Sequence, residues 1–307
     1  MCVGGTCQCE PGKCGAATVV DLAGEDVGSY DVDDQFVYYS KGATAIYRAP
    51  VVGGAASLVT SDVKSIQEIR VAGADVVYTW VDGQATGLNK LRKVSAQGGQ
   101  PTTLDSSPGV VAGVVTKYLA VRSLGPFSSV FWWANSKMNM IDVASGTKIT
   151  SFTMGSNHPL GPIVASSSYV YAGTYFPAFY TFYRDGAAWA GHNKPSFNEF
   201  DLAVDTASNL YFTDTESGEI LSITAMNDSP VYSGQSKLHG LAVDDTFLYW
   251  IKVSGMDYEI LRGPKDGGSP TSLYKGQGLY SFSARDLRVR GGFVYWIADD
   301  KIWRVAP

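Results

Sequence analysis

Gly240-Leu-Ala-Val-Asp-Asp245, Phe247-Leu-Tyr-Trp250, Glu259-Ile-Leu-Arg-Gly-Pro-Lys-Asp-Gly-Gly268 and Pro270-Thr-Ser-Leu-Tyr274 follow one another along the chain. Each segment alternates or clusters residues that suit a pleated strand. Asp, Gly, Ser or Pro separates each from the next, so the stretch reads as four short antiparallel strands, a to d. Four strands in one unit is the pattern of a propeller blade.

The cassette recurs. Tyr30-Asp-Val-Asp-Asp34, Phe36-Val-Tyr-Tyr39, Ala45-Ile-Tyr-Arg48 and Ser57-Leu-Val-Thr60 repeat it near the start. An apolar residue followed by an aromatic one marks strand b seven times: Val37-Tyr38, Val77-Tyr78, Phe131-Trp132, Val170-Tyr171, Leu210-Tyr211, Leu248-Tyr249 and Val294-Tyr295. A period of this size signals units too small to bury their own apolar face, which must stack on their neighbours. The last copy has Leu287-Arg-Val289, Phe293-Val-Tyr-Trp296 and Lys301-Ile-Trp-Arg304 but no strand d before the chain ends at Pro307. Ala17-Thr-Val-Val-Asp21 resembles Thr102-Thr-Leu-Asp105 and can supply that strand, hiding both sheet edges. The sequence therefore predicts an all-β, seven-bladed β-propeller over residues 16–307, closed by its N-terminal strand and preceded by a Cys-rich segment over residues 1–15. Six blades would require the Val130 or the Val294 copy to be something else.

Basic residues precede Gly-Gly by five positions at Arg48, Lys93 and Arg262. The glycines predict a turn between strands c and d that needs positive φ, and the basic residue is expected on an outer strand face. In the third copy Ser123 to Ser128 reads as an insertion between strands a and b. Such an insertion would protrude on the face where propellers place binding loops, or would be neutral length drift.

Composition limits the function classes. Apolar residues make up 45% of the 307 and charged residues 17%, which suits a large folded core. Gly (34), Pro (13), Tyr (18) and Trp (7) favour short strands and tight turns over helices. The formal charge of −5, with no local Lys/Arg cluster, argues against nucleic acid as a partner. No apolar stretch approaches the length of a membrane span.

Cys2, Cys7, Cys9 and Cys14 are the four cysteines, and all lie ahead of the repeats. Their spacing among Gly and Pro reads as a small disulfide module and hence an extracellular, periplasmic or cell-surface setting. Zinc is the competing reading, although its structural sites use closer Cys pairs. Met1-Cys2 is not followed by the charged and apolar run of an export signal, so a longer secreted precursor is expected.

Asp201-Leu-Ala-Val-Asp-Thr-Ala-Ser-Asn-Leu-Tyr-Phe-Thr-Asp214 resembles the repeat of NHL-type and gluconolactonase-like propellers. Gly240-Leu-Ala-Val-Asp-Asp-Thr-Phe-Leu-Tyr-Trp250 resembles the YWTD repeats of receptor ectodomains and related bacterial proteins, and residues 2–15 resemble the Cys-rich repeats of bacterial surface proteins. These resemblances imply a fold and little else, because propellers host ligases, lactonases, lyases, receptors and scaffolds.

Strand a lines the channel of a propeller, so its first residues are where chemistry is expected. Three positions before the Val of "Leu-Ala-Val" stand Ser29, Glu68, Tyr118, Pro162, Asp201, Gly240 and Asp286; one position earlier stand Gln67, Lys117, His239 and Arg285 among others. Glu68, Lys117, Tyr118, Asp201, Arg285 and Asp286 are thus candidate binding residues. Glu68, Asp201 and Asp286 could surround calcium, although a calcium site usually gathers six or more oxygens, and pairing with Lys117 and Arg285 is the alternative. No other cofactor is implied. His239 is the one His at this mouth and the candidate acid or base, with a structural role as its alternative. His158 and His192 sit in turn-like sequence. The Asp33-Asp34, Asp244-Asp245 and Asp299-Asp300 pairs read as turn caps. The aromatic run from Tyr175 to Tyr183, followed by Trp189, could expose a patch for a protein or sugar. The leading expectation is a non-catalytic secreted or cell-surface binding or scaffold module with a protein or carbohydrate ligand. The rival is an extracellular lyase or lactonase-like hydrolase at the channel mouth.

Overall fold

The computed structural model describes residues 2–3, 6–7, 18–19, 26–42, 44–61, 65–81, 88–108, 119–124, 127–134, 137–153, 160–176, 179–185, 187–193, 200–224, 228–235, 237–278 and 284–307. Among them no helix is long and apolar enough to cross a membrane. Apart from the short pair of Cys2–Val3 with Thr6–Cys7, the described strands form successive four-stranded antiparallel sheets, each starting at an inner strand a. Blade 1 is Val27–Val32, Phe36–Lys41, Ala45–Pro50 and Ser57–Ser61. Blade 2 is Ser65–Ala72, Asp75–Val81, Leu88–Ser95 and Thr102–Pro108, and blade 3 is Leu119–Leu124, Phe127–Ala134, Lys137–Asp142 and Lys148–Thr153. Blade 4 is Leu160–Ala165, Val170–Phe176, Phe179–Arg184 and Ala187–Asn193, and blade 5 is Leu202–Val204, Leu210–Asp214, Glu219–Ile223 and Asp228–Tyr232. Blade 6 is Leu238–Val243, Phe247–Ser254, Asp257–Pro264 and Thr271–Gln277.

These six blades are each built from one continuous stretch of chain. The remaining sheet is composite: Arg285–Arg290, Phe293–Ala298 and Lys301–Val305 are completed by Thr18–Val19 from the other end. The expected closing strand is seen at Thr18–Val19, where Thr18 pairs with Arg304 and Val19 with Trp303, while Ala17, Val20 and Asp21 lie outside the described residues. The Val130 copy and the Val294 copy both form four-stranded sheets. The inner strands meet in one closed cycle, in which strand a of the composite sheet touches strand a of both blade 6 and blade 1. The composite sheet is therefore the seventh member of the ring, between blades 6 and 1. Most of the Cys-rich segment lies outside the described residues.

The buried apolar residues among those described fall into seven interlayers, one between each pair of neighbouring sheets. Side chains alternate across a strand, so each strand b feeds two of them. In blade 1, Val37 and Tyr39 face the composite sheet, while Tyr38 faces blade 2. Pairing to strand a fixes the equivalent residues and corrects the aromatic column by one residue in two copies. Val71 pairs with Val76 and Val121 with Val130, as Val32 does with Val37. The matching pairs are thus Val76-Val77 and Val130-Phe131, where the sequence suggested Val77-Tyr78 and Phe131-Trp132. A one-residue slip exchanges the two faces, which is why Tyr78 packs toward blade 1 while Tyr38 packs toward blade 2.

Turns follow the expected chemistry. Gly53-Gly54, Gly98-Gly99 and Gly267-Gly268 share one conformation, with φ of 94° and 134°, 102° and 138°, and 93° and 124°. Two of the basic residues before them, Arg48 and Lys93, reach sideways to the next blade. Arg48 donates to the Ala96 carbonyl at 2.8 Å and Lys93 to the Val143 carbonyl at 2.5 Å. Arg304 closes the circle by donating to the Val51 carbonyl of blade 1. Arg48, Arg262 and Arg304 also stack on the aromatic residue that opens strand b, namely Phe36, Phe247 and Phe293.

Candidate functional site

The seven inner strands enclose a central channel of about 600 Å³. Strand a is irregular near its start: register shifts fall at Val27/Tyr30, Ile66/Glu68, Leu160/Ile163, His239/Leu241 and Arg285/Arg288. At two of these bulges the backbone is left-handed, with φ of 71° at Gly240 and 55° at Asp286. Asp tolerates this region better than most residues, so the same bulge is built from Gly in one blade and Asp in the next.

The bulge sets what the expected mouth residues do. Asp201 is buried, and its carboxylate accepts the Leu202 amide at 3.1 Å and the Leu241 amide of blade 6 at 3.2 Å. Its own amide donates to the Thr213 hydroxyl at 2.8 Å. Ser29 does the same between blades 1 and 2, where its hydroxyl accepts the Ile69 amide at 3.2 Å. Glu68 is buried in an ion pair with Arg70 of its own strand. Arg285 donates to the Val27 carbonyl at 3.2 Å and lies 3.7 Å from Asp300. The backbone carbonyl of Asp286 accepts the Tyr30 hydroxyl at 2.5 Å. His239 occupies strand a of blade 6 immediately before the bulge and is half-buried. Lys117, Tyr118 and His158 lie outside the described residues, as do the side chains of His192, Trp189 and the run from Tyr175 to Tyr183.

Glu68, Asp201 and Asp286 are spread over blades 2, 5 and the composite sheet, and among the described residues no three His, Cys, Asp or Glu side chains converge on a point that could hold a metal. Asp201 faces amide hydrogens, which is the opposite of what a cation requires. The Asp pairs take the turn roles expected of them. Asp33 accepts the Gln35 and Phe36 amides at 2.7 and 2.6 Å, Asp244 accepts those of Thr246 and Phe247 at 2.8 and 2.7 Å, and Asp299 and Asp300 supply the two left-handed residues of a hairpin.

Deeper in the channel lie charged residues that are not at the mouth. One position before the aligned Val stand Asp31, Arg70 and Arg288, from three consecutive members of the ring. Each arginine is braced by the preceding carbonyl: Arg70 by Ile69 at 2.7 Å and Arg288 by Leu287 at 3.0 Å. Asp31 accepts the Val71 amide at 2.8 Å and lies 3.6 Å from Arg288. Burial would oppose ionisation of Arg288, but the Asp31 and Asp286 carboxylates outweigh it and hold the guanidinium's pKa above its ordinary value. The signal for this cluster was present in the repeat alignment, as charge in three copies where the others carry Ala or Val.

At the end of the ring formed by the a–b turns, blade 3 stands out. The insertion at Ser123 to Ser128 takes the form of a lengthened hairpin: eight residues separate the paired Val121 and Val130, against four between Val32 and Val37, and strands a and b run into it with Leu124 opposite Phe127. Ser123 and Ser128 touch at 3.1 Å below the tip, while Leu124 is 48% and Phe127 69% exposed.

No protein-family model matches the chain, and no curated protein matches it. Among solved structures it is similar to a chain of the crystal structure of the mitotic checkpoint complex, with a TM-score of 0.64 and 13% identity over 95% of this chain and 94% of that one. It is also similar to BamB from Moraxella catarrhalis, with a TM-score of 0.58 and 13% identity over 92% of this chain and 85% of that one. At such identity the likeness shows the fold, a β-propeller, in agreement with the sheet order.

Proposed function

We propose that this chain is a non-catalytic binding module of the secreted or cell-surface kind, which docks a protein on the face carrying the a–b turns. The observation that carries this reading is the exposed pair Leu124 and Phe127, two large apolar side chains opposite each other where strands a and b of blade 3 run outward. Apolar anchors of this kind supply most of the energy of protein association, and holding them on paired strands lowers the entropy cost of presenting them. The acids at the opposite mouth favour binding over catalysis, since Asp201 and Glu68 are committed to contacts within the fold. The similarity to a chain of a multiprotein assembly is consistent with a protein partner. The secreted setting rests on the cysteine pattern, and kinship with YWTD or NHL repeats rests on the quoted motifs.

Photo-crosslinking tests the docking surface. A benzophenone side chain placed at position 127 is exposed to the producing cell's surface and extracellular proteins. One discrete adduct is expected, competed away by excess wild-type protein and not by the Leu124→Asp, Phe127→Asp variant. Equal competition by both proteins would overturn the assignment. Turnover of a lactone or polyuronide that disappears in His239→Ala would overturn its non-catalytic part.

A further inference from the structure

The channel is two-sided. Arg288, Asp31 and Arg70 form a charged arc from the composite sheet through blade 1 to blade 2. Across from them, at the same level of strand a, blades 3 to 6 present Ala120, Val164, Ala203 and Ala242. Small residues on that side leave the space that the long arginines do not fill, and the resulting volume of about 600 Å³ suits a small molecule.

We infer that this channel binds a small zwitterion with an apolar body, of the class of free apolar amino acids and short peptides. Arg70 and Arg288 have side-chain exposures of only 12% and 22%, and both are fixed against their own strand carbonyls. Fixed guanidinium groups in a sheltered cavity pair with a carboxylate at little ordering cost. Asp31 stands between them in ring order, so an ammonium group on the same ligand finds a carboxylate beside the carboxylate's own partners. The charge balance selects against other classes. Of the charged residues that line the channel, Asp31, Asp33 and Asp201 balance Arg70, Arg288 and Arg290, so the cavity carries no net charge, which disfavours phosphate or a dicarboxylate and suits a ligand that brings both signs. The apolar arc then takes the aliphatic part. This site is separate from the Leu124–Phe127 surface, and either can fail without the other.

Isothermal titration of the whole protein tests the inference with leucine, leucyl-alanine, glycine, N-acetyl-leucine and leucinamide. Leucine or leucyl-alanine is expected to bind. Glycine, which lacks the apolar part, and both blocked derivatives, which lack one charge, are each expected to bind at least tenfold more weakly. Val164→Phe, which fills the apolar side without touching a charge, and Arg288→Met should each reduce binding of the better ligand at least tenfold, with folding checked by near-ultraviolet circular dichroism. The wild-type ligand series decides the matter even where a variant misfolds. No binding of leucine or leucyl-alanine at millimolar concentration, or equal binding of the blocked derivatives, would overturn the proposal.

Discussion

Individual polar residues in this ring hold blades together at points where a buried charge would otherwise be costly. Asp205 is the clearest case: its side chain is fully buried and bonds Lys265 of the next blade at 2.7 Å. Burial works against its ionisation, but Lys265 and the two groups of Asn209 outweigh it and hold the carboxyl below its ordinary pKa. Its contribution is therefore present above the unfolded carboxyl's pKa and is lost as pH falls through the depressed folded value. Lys265→Met should cost about 3 kcal/mol in urea denaturation at neutral pH, because it strands a buried carboxylate. Adding Asp205→Asn should recover part of that loss. Tyr38 titrates at the other extreme, since burial and then the nearby Asp33 push its phenol up to about 12. A raised folded value means that this contribution is complete below about pH 10 and fades as pH climbs toward 12. Tyr38→Phe should flatten the fall in urea midpoint between pH 10 and pH 12, and an unchanged slope would exclude Tyr38 as its source.

Within elements, the close approach of sheets depends on residues without a side chain. A Cβ on Gly263 of strand c in blade 6 would lie 2.1 Å from the Tyr232 hydroxyl, whose ring packs on Trp250 with centroids 4.8 Å apart. Gly263→Ala is expected to lower stability by about 1–3 kcal/mol, the usual cost of overpacking, with the loss read from thermal melting. The strands themselves were legible in the sequence, because alternation and Gly-Asp turns are local signals. Register was less so: Tyr78 and Trp132 offered aromatic residues one position late, and only pairing with strand a shows that Val77 and Phe131 are the equivalents of Tyr38. The insertion in blade 3 was legible as added length, but not as added strand, since longer paired strands and an added loop have the same length in sequence.

At the scale of the whole ring, closure turns seven thin interlayers into one body, and the same closure decides which charges are structural. The sequence placed Glu68, Asp201 and Asp286 at one mouth because all three align. It could not tell whether their oxygens would face a cation or backbone amides, since that depends on the bulge of the neighbouring blade. Asp31, Arg70 and Arg288 were equally visible as letters, but their meeting in the channel follows only once the composite sheet sits beside blade 1. Asp201 clamps blade 5 to blade 6 through backbone amides. Urea denaturation of wild type and Asp201→Asn, each with calcium and with EDTA, tests this role most directly. Wild-type midpoints that calcium does not move are expected, with a loss of about 1–3 kcal/mol in Asp201→Asn that is the same in both conditions. A calcium-dependent gain in the wild type that vanishes in Asp201→Asn would contradict it.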